Sequence, residues 1–169
     1  MTRRSILILG GARSGKTARA LALGEPFAER FYIATGEALD AEMADRIARH
    51  RRERAETWTT VAAPLDLSAA ITALPAGAAG IVDCLTLWLS NLMGASRNVE
   101  GATGELLRAI RPCAATLVIV SNEVGLGLVP ETPLGRAFRD EQGRLNQAVA
   151  SAVAEVEFVA AGLPLRLKP

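Results

Sequence analysis

The sequence predicts an α/β fold in which a mainly parallel central sheet is flanked by helices. Short apolar segments of strand length recur along the chain, and they are apolar on both faces, as strands buried between two layers of helices are. Segments with helical periodicity separate them, and this alternation favours parallel strands joined by right-handed crossovers. The length of 169 residues corresponds to a single domain over 1–169. In such a sheet, ligands bind at the carboxyl ends of the strands.

The predicted strand segments are short and rich in valine and isoleucine. There are five of them, at 6–9, 31–34, 81–82, 117–120 and 156–160. Two other stretches, the alanine- and glycine-rich 76–80 and the segment 94–104, are predicted to be surface loops.

The helices are predicted from their capping residues and their apolar periodicity. One runs from Lys16 to about residue 23, and two more follow the N-cap candidates Asp40 and Asp66, to about residues 54 and 74. Thr132 and Pro133 have the pattern of an N-cap followed by an N1 proline, which predicts the start of the longest helix. The apolar residues that share one face of that helix are Leu134, Phe138, Leu145, Val149 and Val153.

Charge and composition exclude several functional classes. The formal net charge is +1 and aromatic residues make up 4% of the chain, whereas nucleic-acid binders need a clustered basic excess or aromatic stacking platforms. The two cysteines, Cys84 and Cys113, are too few for a disulfide scaffold. The apolar stretch that follows Arg4 is too short for a signal peptide or a membrane span. We therefore expect a soluble, cytoplasmic protein that binds neither nucleic acid nor a membrane.

The most specific local motif is Gly-Gly-Ala-Arg-Ser-Gly-Lys-Thr at residues 10–17, which fits the phosphate-binding pattern G-x-x-x-x-G-K-[ST] at every position. It follows the first predicted strand and opens a helix, where backbone N–H groups and the helix N-terminus attract phosphate. Lys16 is expected to reach the β- and γ-phosphates of a nucleotide, and the Thr17 hydroxyl to bind Mg²⁺. The alternative is a glycine-rich strand-to-helix turn without a ligand.

Magnesium in such a site needs a carboxylate from the end of a neighbouring strand. Asp83 ends the apolar run at 79–83, and Glu123 follows another apolar run at 117–120. We favour Asp83 as the magnesium ligand over Glu123. The alternative is that each acidic residue caps the helix that follows it.

His50 is the only histidine of the chain. It shares a predicted helix face with Met43 and Ile47, so spacing alone favours a histidine packed at the edge of an apolar face. Arg46 and Arg54 belong to a basic run, which is usually a solvated helix face. Beside a phosphate-binding loop, the same arginines can hold a polyphosphate and keep the imidazole neutral. His50 is then the natural nucleophile for covalent catalysis on phosphorus.

Four segments together resemble the bifunctional adenosylcobinamide kinase/adenosylcobinamide-phosphate guanylyltransferase family of cobalamin biosynthesis. They lie at residues 10–17, 32–58, 82–92 and 120–147, and the resemblance extends over 8–167. Many kinases share the first segment, whereas the last segment and the one around His50 are more specific. The resemblance implies a P-loop NTPase-like fold of the RecA type and assembly as a homotrimer.

The resemblance also implies two reactions. In the first, ATP or GTP phosphorylates the aminopropanol hydroxyl of adenosylcobinamide. In the second, the family's histidine, which corresponds to His50, attacks the α-phosphorus of GTP and releases pyrophosphate. The GMP then passes to adenosylcobinamide phosphate, giving adenosylcobinamide-GDP. The implied cofactor is Mg²⁺, with no organic cofactor.

The residues expected to bind nucleotide follow from the same resemblance. They are Gly10, Gly11, Ala12, Arg13, Ser14, Gly15, Lys16, Thr17, Ala34, Thr35, Gly36, Arg51, Arg52, Glu53, Arg54 and Asp83. Lys16 and His50 are the expected catalytic residues, and Thr17 and Asp83 are the expected metal ligands.

One position departs from the family pattern. Relatives usually carry a nucleotide-binding glutamate where this chain has Ala62, and an alanine side chain cannot accept a hydrogen bond. Losing a hydrogen bond made by a charged group costs about 1.5–3 kcal/mol of nucleotide affinity. Arg54-Ala55 also stands where Arg-Pro is common in the family.

Two other interpretations remain open. In one, the chain is a small-molecule P-loop kinase that transfers only the terminal phosphate, and His50 is structural. In the other, it is a nucleotide-dependent switch or binding module. Against the switch, the guanine-reading motif N-K-x-D is absent, since Asn122 is followed by Glu123 and Val124.

Overall fold

The computed structural model describes residues 4–37 and 57–169. Within these ranges, seven strands form one sheet: β1 (Ser5–Leu9), β2 (Arg30–Ala34), β3 (Thr59–Ala62), β4 (Ala79–Asp83), β5 (Thr116–Val120), β6 (Glu155–Ala160) and β7 (Leu163–Lys168). The helices in the same ranges are α1 (Lys16–Gly24), α2 (Leu67–Thr72), α3 (Leu85–Gly94), α4 (Val99–Ile110) and α5 (Pro133–Ala152).

The sheet is parallel except at one edge. The strand order is β3-β2-β4-β5-β1-β6-β7, and only the β6–β7 pair is antiparallel. Ile6 of β1 lies opposite Val118 of β5 and Glu155 of β6. The carboxyl ends of the parallel strands therefore meet at one edge of the sheet. The predicted α/β fold with a mainly parallel central sheet is confirmed.

Alternate residues of the strands face two separate cores. On β1, Leu7 packs into the larger core with α2 to α5, whereas Ile6 and Ile8 pack with α1 on the other face. Each of these three side chains is at most 1% exposed. In the larger core, the indole Nε1 of Trp88 donates a hydrogen bond of 2.8 Å to the Leu65 carbonyl. Burial on both faces explains why the central strands are continuously apolar.

All five predicted strands are present, and two more strands were not predicted. β3 is four residues long and mostly exposed. β7 is the antiparallel strand at the edge of the sheet, and it contains Pro164. Proline is tolerated there because an edge strand leaves part of its backbone without a ladder partner.

The loop predicted at 76–80 is wrong in its second half. Ala79 and Gly80 belong to β4 and are buried. A Cβ atom at Gly80 would lie 2.4 Å from the Leu74 side chain. Glycine is therefore used here for close packing of a buried strand and not for a turn.

The loop predicted at 94–104 is also wrong, because α4 begins within it at Val99. The Asn98 side chain caps the helix by accepting a hydrogen bond of 3.0 Å from the Gly101 amide. Leu106 and Ile110 lie on the buried face of α4. Capping and burial together outweigh the unfavourable helix propensity of two glycines.

Two predicted helices differ from the structure in detail. α2 follows Asp66 as predicted but ends at Thr72, and the Asp66 side chain makes no capping hydrogen bond within the described residues. In α5, the cap is confirmed, since Thr132 Oγ1 accepts a hydrogen bond of 3.1 Å from Gly135. Leu134 was wrongly placed on the buried face and is 70% exposed. In α5, the side chains become partly buried from about Phe138 onwards. The first turn of the helix therefore does not pack into the core that the described residues form.

The predicted helix at 40–54 lies outside the described residues. Among the helices of 4–37 and 57–169, none combines the length and the apolar character that crossing a membrane requires.

Candidate active site

The phosphate-binding motif forms the loop between β1 and α1, as the sequence predicts. Gly10 and Gly15 adopt φ angles of +153° and +101°, and Arg13 lies in the left-handed region at +56°. A Cβ atom at Gly10 would lie 2.4 Å from the Val159 carbonyl oxygen. Glycine is required at Gly10 and Gly15 because side chains are disfavoured at these φ values and, at Gly10, no space is left for one.

Two distant segments hold this loop in place. The Gly162 amide, in the turn between β6 and β7, donates a hydrogen bond of 2.8 Å to the Ser14 carbonyl. The Glu123 amide, just after β5, donates one of 3.0 Å to the Gly10 carbonyl. The shape of the loop is therefore set by long-range contacts as well as by its glycines.

Lys16 begins α1 and is 7% exposed. Its Nζ donates hydrogen bonds to the Gly11 carbonyl at 2.5 Å and to Ser14 Oγ at 3.5 Å. Burial lowers the pKa of Lys16 from its ordinary value of 10.5, while Cys84 and Asp83 act in the opposite direction. A phosphate group in the loop would offset this desolvation of the ammonium group, because it would supply a counter-charge where water is excluded.

Thr17 and Asp83 are brought together, as the motif predicts. The Thr17 hydroxyl donates a hydrogen bond of 2.9 Å to Asp83 Oδ2. The same oxygen accepts a second hydrogen bond of 2.5 Å from the hydroxyl of Tyr32, which is buried in β2. A hydroxyl beside a carboxylate is a donor set of hard oxygen atoms, which suits Mg²⁺ bound jointly with substrate phosphates. The residues present therefore fit the expected ion.

Sequence reasoning missed Tyr32 as a partner of Asp83. In the parallel β2–β4 pair, Tyr32 lies opposite Ile81 and Ala34 lies opposite Asp83. Tyr32 and Asp83 are thus diagonal neighbours across the two strands, on one face of the sheet, because alternate strand residues share a face. The pairing of β2 with β4 was the missing information.

The predicted nucleotide contacts after β2 lie at the same edge. Thr35 is fully buried, and its hydroxyl donates to the Cys84 carbonyl at 2.7 Å and accepts from the Cys84 amide at 2.8 Å. The backbone carbonyl of Thr35 accepts a hydrogen bond of 2.7 Å from the side-chain Nδ2 of Asn91. The Thr35 side chain therefore fixes the backbone just beyond Asp83. Ala34 and Gly36 are half-buried.

Ala62 ends β3 and pairs with Ala34 of β2. It is exposed at the edge where the site lies. The position at which the family resemblance implies a glutamate thus lies close to the end of β2, and here it presents a methyl group.

A buried polar cluster, which the sequence did not reveal, lies behind the end of β5. Ser121 Oγ donates a hydrogen bond of 2.7 Å to Asn146 Oδ1, and Gln142 Nε2 donates to both of these oxygens at 3.0 Å. Asn146 also donates to the Asn122 carbonyl at 3.2 Å. Gln142 and Asn146 are four residues apart and therefore share one face of α5. The cluster fixes the backbone that leads from β5 to Glu123.

The remaining predicted site residues lie outside the described residues. These are His50, Arg51, Arg52, Glu53 and Arg54. In the part of the chain that the structure describes, the eight residues of the phosphate loop are assembled with Asp83 and the end of β2.

Comparisons with known proteins match almost the whole chain. Residues 6–167 match the family model described as cobinamide kinase / cobinamide phosphate guanyltransferase. The bifunctional adenosylcobalamin biosynthesis protein CobP of Pseudomonas aeruginosa is 45% identical over 166 residues, covering 96% of each chain. The bifunctional adenosylcobalamin biosynthesis protein CobU of Escherichia coli K12 is 38% identical over 179 residues, covering 96% of this chain and 99% of that protein.

Solved structures with low sequence identity share the fold. The protein PH0250 from Pyrococcus horikoshii OT3 aligns with a TM-score of 0.59 and 6% identity, over 99% of this chain and 88% of that one. An ATPase from a bacterial type III secretion system aligns with a TM-score of 0.50 and 10% identity, over 96% of this chain and 56% of that one. The predicted P-loop NTPase-like fold is thus confirmed.

Proposed function

Because the chain belongs to the cobinamide kinase / cobinamide phosphate guanyltransferase family, we propose that it catalyses both reactions on a corrinoid. The first phosphorylates adenosylcobinamide with ATP or GTP. The second transfers GMP from GTP to adenosylcobinamide phosphate through a guanylylated His50. Among the structural observations, the contact between Thr17 and Asp83 beside the phosphate loop carries most weight, because phosphoryl transfer depends on positioned phosphates and charge neutralisation.

The triphosphate binds in the loop formed by residues 10–17. Backbone N–H groups at the start of α1 bind its oxygens, and Lys16 neutralises charge on the β- and γ-phosphates. The half-buried Ala34 and Gly36, with the backbone of Thr35, line the nucleotide site at the end of β2. The remaining nucleotide contacts are those that the family resemblance implies, from Arg51, Arg52, Glu53 and Arg54.

Thr17 and Asp83 hold Mg²⁺. When bound, the ion neutralises phosphate charge as a Lewis acid. Tyr32 keeps the Asp83 carboxylate turned towards Thr17, because its hydroxyl and that of Thr17 donate to the same oxygen.

In the transferase reaction, a ring nitrogen of His50 attacks the α-phosphorus of GTP. A nitrogen–phosphorus bond forms, the bond from the α-phosphorus to the bridging oxygen breaks, and pyrophosphate leaves. A phosphate oxygen of adenosylcobinamide phosphate then attacks the same phosphorus. The nitrogen–phosphorus bond breaks, His50 is regenerated and adenosylcobinamide-GDP is released.

Incubation with [α-³²P]GTP and Mg²⁺, followed by denaturation, tests the covalent step. We expect an acid-labile, alkali-stable label on the wild-type chain and none on His50→Ala or His50→Asn. Unchanged thermal melting of the variants is the control for folding. A label that persists in both variants would place the nucleophile elsewhere. Absence of any label, with corrinoid-dependent consumption of ATP, would favour a kinase without the covalent step.

We also propose that the chain assembles as a homotrimer, as the resemblance implies. The apolar side chains of β7 support an interface between copies: Leu163, Leu165 and Leu167 are 73%, 62% and 55% exposed. Within the described residues, β7 pairs only with β6, which leaves its outer edge available for another chain. Light scattering measures the mass directly, and a monomer at micromolar concentration would contradict the proposal.

A further inference from the structure

We propose that the Glu123 carboxylate is the general base of the kinase reaction, a role that rests on the proposed function. It accepts the proton of the corrinoid's aminopropanol hydroxyl while that oxygen attacks the γ-phosphorus.

The position of Glu123 follows from the strand order. β5 lies between β1 and β4, so the residues after β5 lie between the phosphate loop and Asp83. The Glu123 amide donates a hydrogen bond of 3.0 Å to the Gly10 carbonyl. The backbone of Glu123 is therefore in contact with the phosphate loop itself.

The carboxylate of Glu123 is held and accessible. Its Oε1 accepts a hydrogen bond from the Gly125 amide, two residues further along the chain. The residue is half-buried. The buried cluster of Ser121, Gln142 and Asn146 fixes the preceding backbone. The backbone of Glu123 thus anchors its carboxylate in the neighbourhood of the phosphate loop, and this position is what supports the proposed role, since a general base must come within hydrogen-bond reach of the proton that it accepts.

Two other charged groups beside the phosphate loop, Lys16 and Asp83, have different tasks. Lys16 is a hydrogen-bond donor only, and so cannot take a proton in its cationic form. Asp83 Oδ2 already accepts hydrogen bonds from Thr17 and Tyr32 and is the proposed ligand of Mg²⁺. Glu123 has neither commitment.

In the kinase step, one bond to the γ-phosphorus is exchanged for another. A bond forms between the hydroxyl oxygen and the γ-phosphorus, and the bond between that phosphorus and the bridging oxygen breaks. The nucleoside diphosphate leaves with the electron pair. The hydroxyl proton passes to Glu123 and then to solvent.

The first test replaces the carboxylate by an amide in the full-length chain. With saturating adenosylcobinamide, ATP and Mg²⁺, we expect Glu123→Gln to lower kcat of the kinase reaction about 10²–10⁴-fold with little change in the KM for ATP. Glu131→Gln is the matched control, since Glu131 is exposed on the same connection between β5 and α5 and the charge change is equal. This control is expected to retain the wild-type rate.

A second variant moves the carboxylate without removing its charge. A Cβ atom at Gly125 would lie 2.8 Å from Glu123 Oε1, which is the mobile end of a side chain. Gly125→Ala therefore displaces the carboxylate while the fold has no need to change. We expect a loss of kinase kcat of at least about tenfold.

The transferase reaction, supplied with adenosylcobinamide phosphate and GTP, separates the possible outcomes. We expect Glu123→Gln to reduce the kinase rate far more than guanylyl transfer. An equal loss in both reactions would indicate a role in nucleotide or metal binding and overturn the assignment, as would a kinase rate within about threefold of wild type. A wild-type chain that does not phosphorylate adenosylcobinamide would instead overturn the proposed function.

Discussion

Asp83 gathers two hydroxyl groups on one carboxylate oxygen, and this explains how a single acidic residue can organise the site. Thr17 comes from α1 and Tyr32 from β2, so two elements contact the Asp83 carboxylate of β4 at the same oxygen. Removing the acid removes the proposed metal ligand, whereas removing the tyrosine hydroxyl changes only the orientation of that ligand.

The Mg²⁺ requirement of the kinase reaction distinguishes the roles of Asp83 and Tyr32. Tyr32→Phe is expected to raise the Mg²⁺ concentration for half-maximal kinase activity by about 10–100-fold, because partners that orient a metal ligand typically contribute that much. Asp83→Asn is expected to raise it at least as much, because it removes the charged ligand itself. Titration of the activity with Mg²⁺ measures both. Asp66→Asn is the matched control, since Asp66 is exposed and makes no capping bond within the described residues. An unchanged Mg²⁺ requirement in Asp83→Asn would contradict the assignment.

Cys84 follows Asp83 directly, but its thiol is protected. Burial is the main cause that raises the pKa of Cys84 from 9.0 to about 11, and the neighbouring Asp83 charge contributes to the same rise. Only the thiolate is nucleophilic. We therefore predict that Cys84 does not react with a disulfide reagent in the folded protein near neutral pH. Mass mapping before and after denaturation measures this, and rapid labelling of Cys84 in the folded chain would be the opposite result.

The strand-to-helix loop shows how glycine determines the shape of an element. Gly10→Ala places a Cβ atom against the Val159 carbonyl, whereas a Cβ atom at Gly11 meets no atom within 4 Å. We predict that Gly10→Ala lowers the free energy of unfolding by about 1–3 kcal/mol through overpacking. Chemical denaturation of both variants tests this. Equal stability of Gly10→Ala and Gly11→Ala would show that the backbone moves aside at no cost.

At the scale of secondary-structure elements, sequence patterns predicted the helices, strands and loops that are specified by their own residues. The loop of residues 10–17 is identified by its own glycines and by Lys16, and β5 by its continuous apolar run. α4 was missed because its glycines resemble a loop, although the Asn98 cap was a signal for a helix. β7 was missed because of Pro164, although Leu163, Leu165 and Leu167 alternate as in a strand with one apolar face.

Ion pairs connect the sheet to its surroundings at the scale of the whole molecule. Arg19 of α1 binds Glu157 of β6 through two hydrogen bonds of 2.7 and 2.8 Å, and Arg4 binds Glu155 through two of 2.7 Å. These hydrogen bonds are the main reason why the pKa values of Glu155 and Glu157 lie below the ordinary 4.5. The ionised carboxylates are therefore favoured in the folded state.

The ion pairs of Glu155 and Glu157 make the stability of the fold depend on pH. A lowered carboxyl pKa contributes stability that is fully present above the ordinary value and is lost as the pH falls through the folded-state value. We predict that Glu157→Gln lowers the free energy of unfolding near neutral pH by about 1.5–3 kcal/mol, and that this deficit shrinks in acid. Glu141→Gln, which breaks the exposed pair with Arg144, is expected to cost less than about 1 kcal/mol. Denaturation at several pH values provides the comparison, and a deficit that grows in acid would refute the ion-pair explanation.

The parts of the candidate site that were not predicted depend on strand order. Tyr32 meets Asp83 because β2 pairs with β4, and the Ser121 cluster forms because α5 packs behind β5. No local pattern specifies these pairings. By contrast, the motif alone was sufficient to predict Lys16 and Thr17 as site residues. Asp83 was predicted because it ends the apolar run that forms β4.

The turn between β6 and β7 has a consequence for protein synthesis. The glycine-rich motif leaves the ribosome before the segment that packs against it. The Val159 carbonyl lies against Gly10, and the Gly162 amide donates a hydrogen bond to the Ser14 carbonyl. A nascent chain thus carries the motif long before it has the neighbours that shape it. We expect a translating polypeptide to capture nucleotide only after Gly162 has emerged from the exit tunnel.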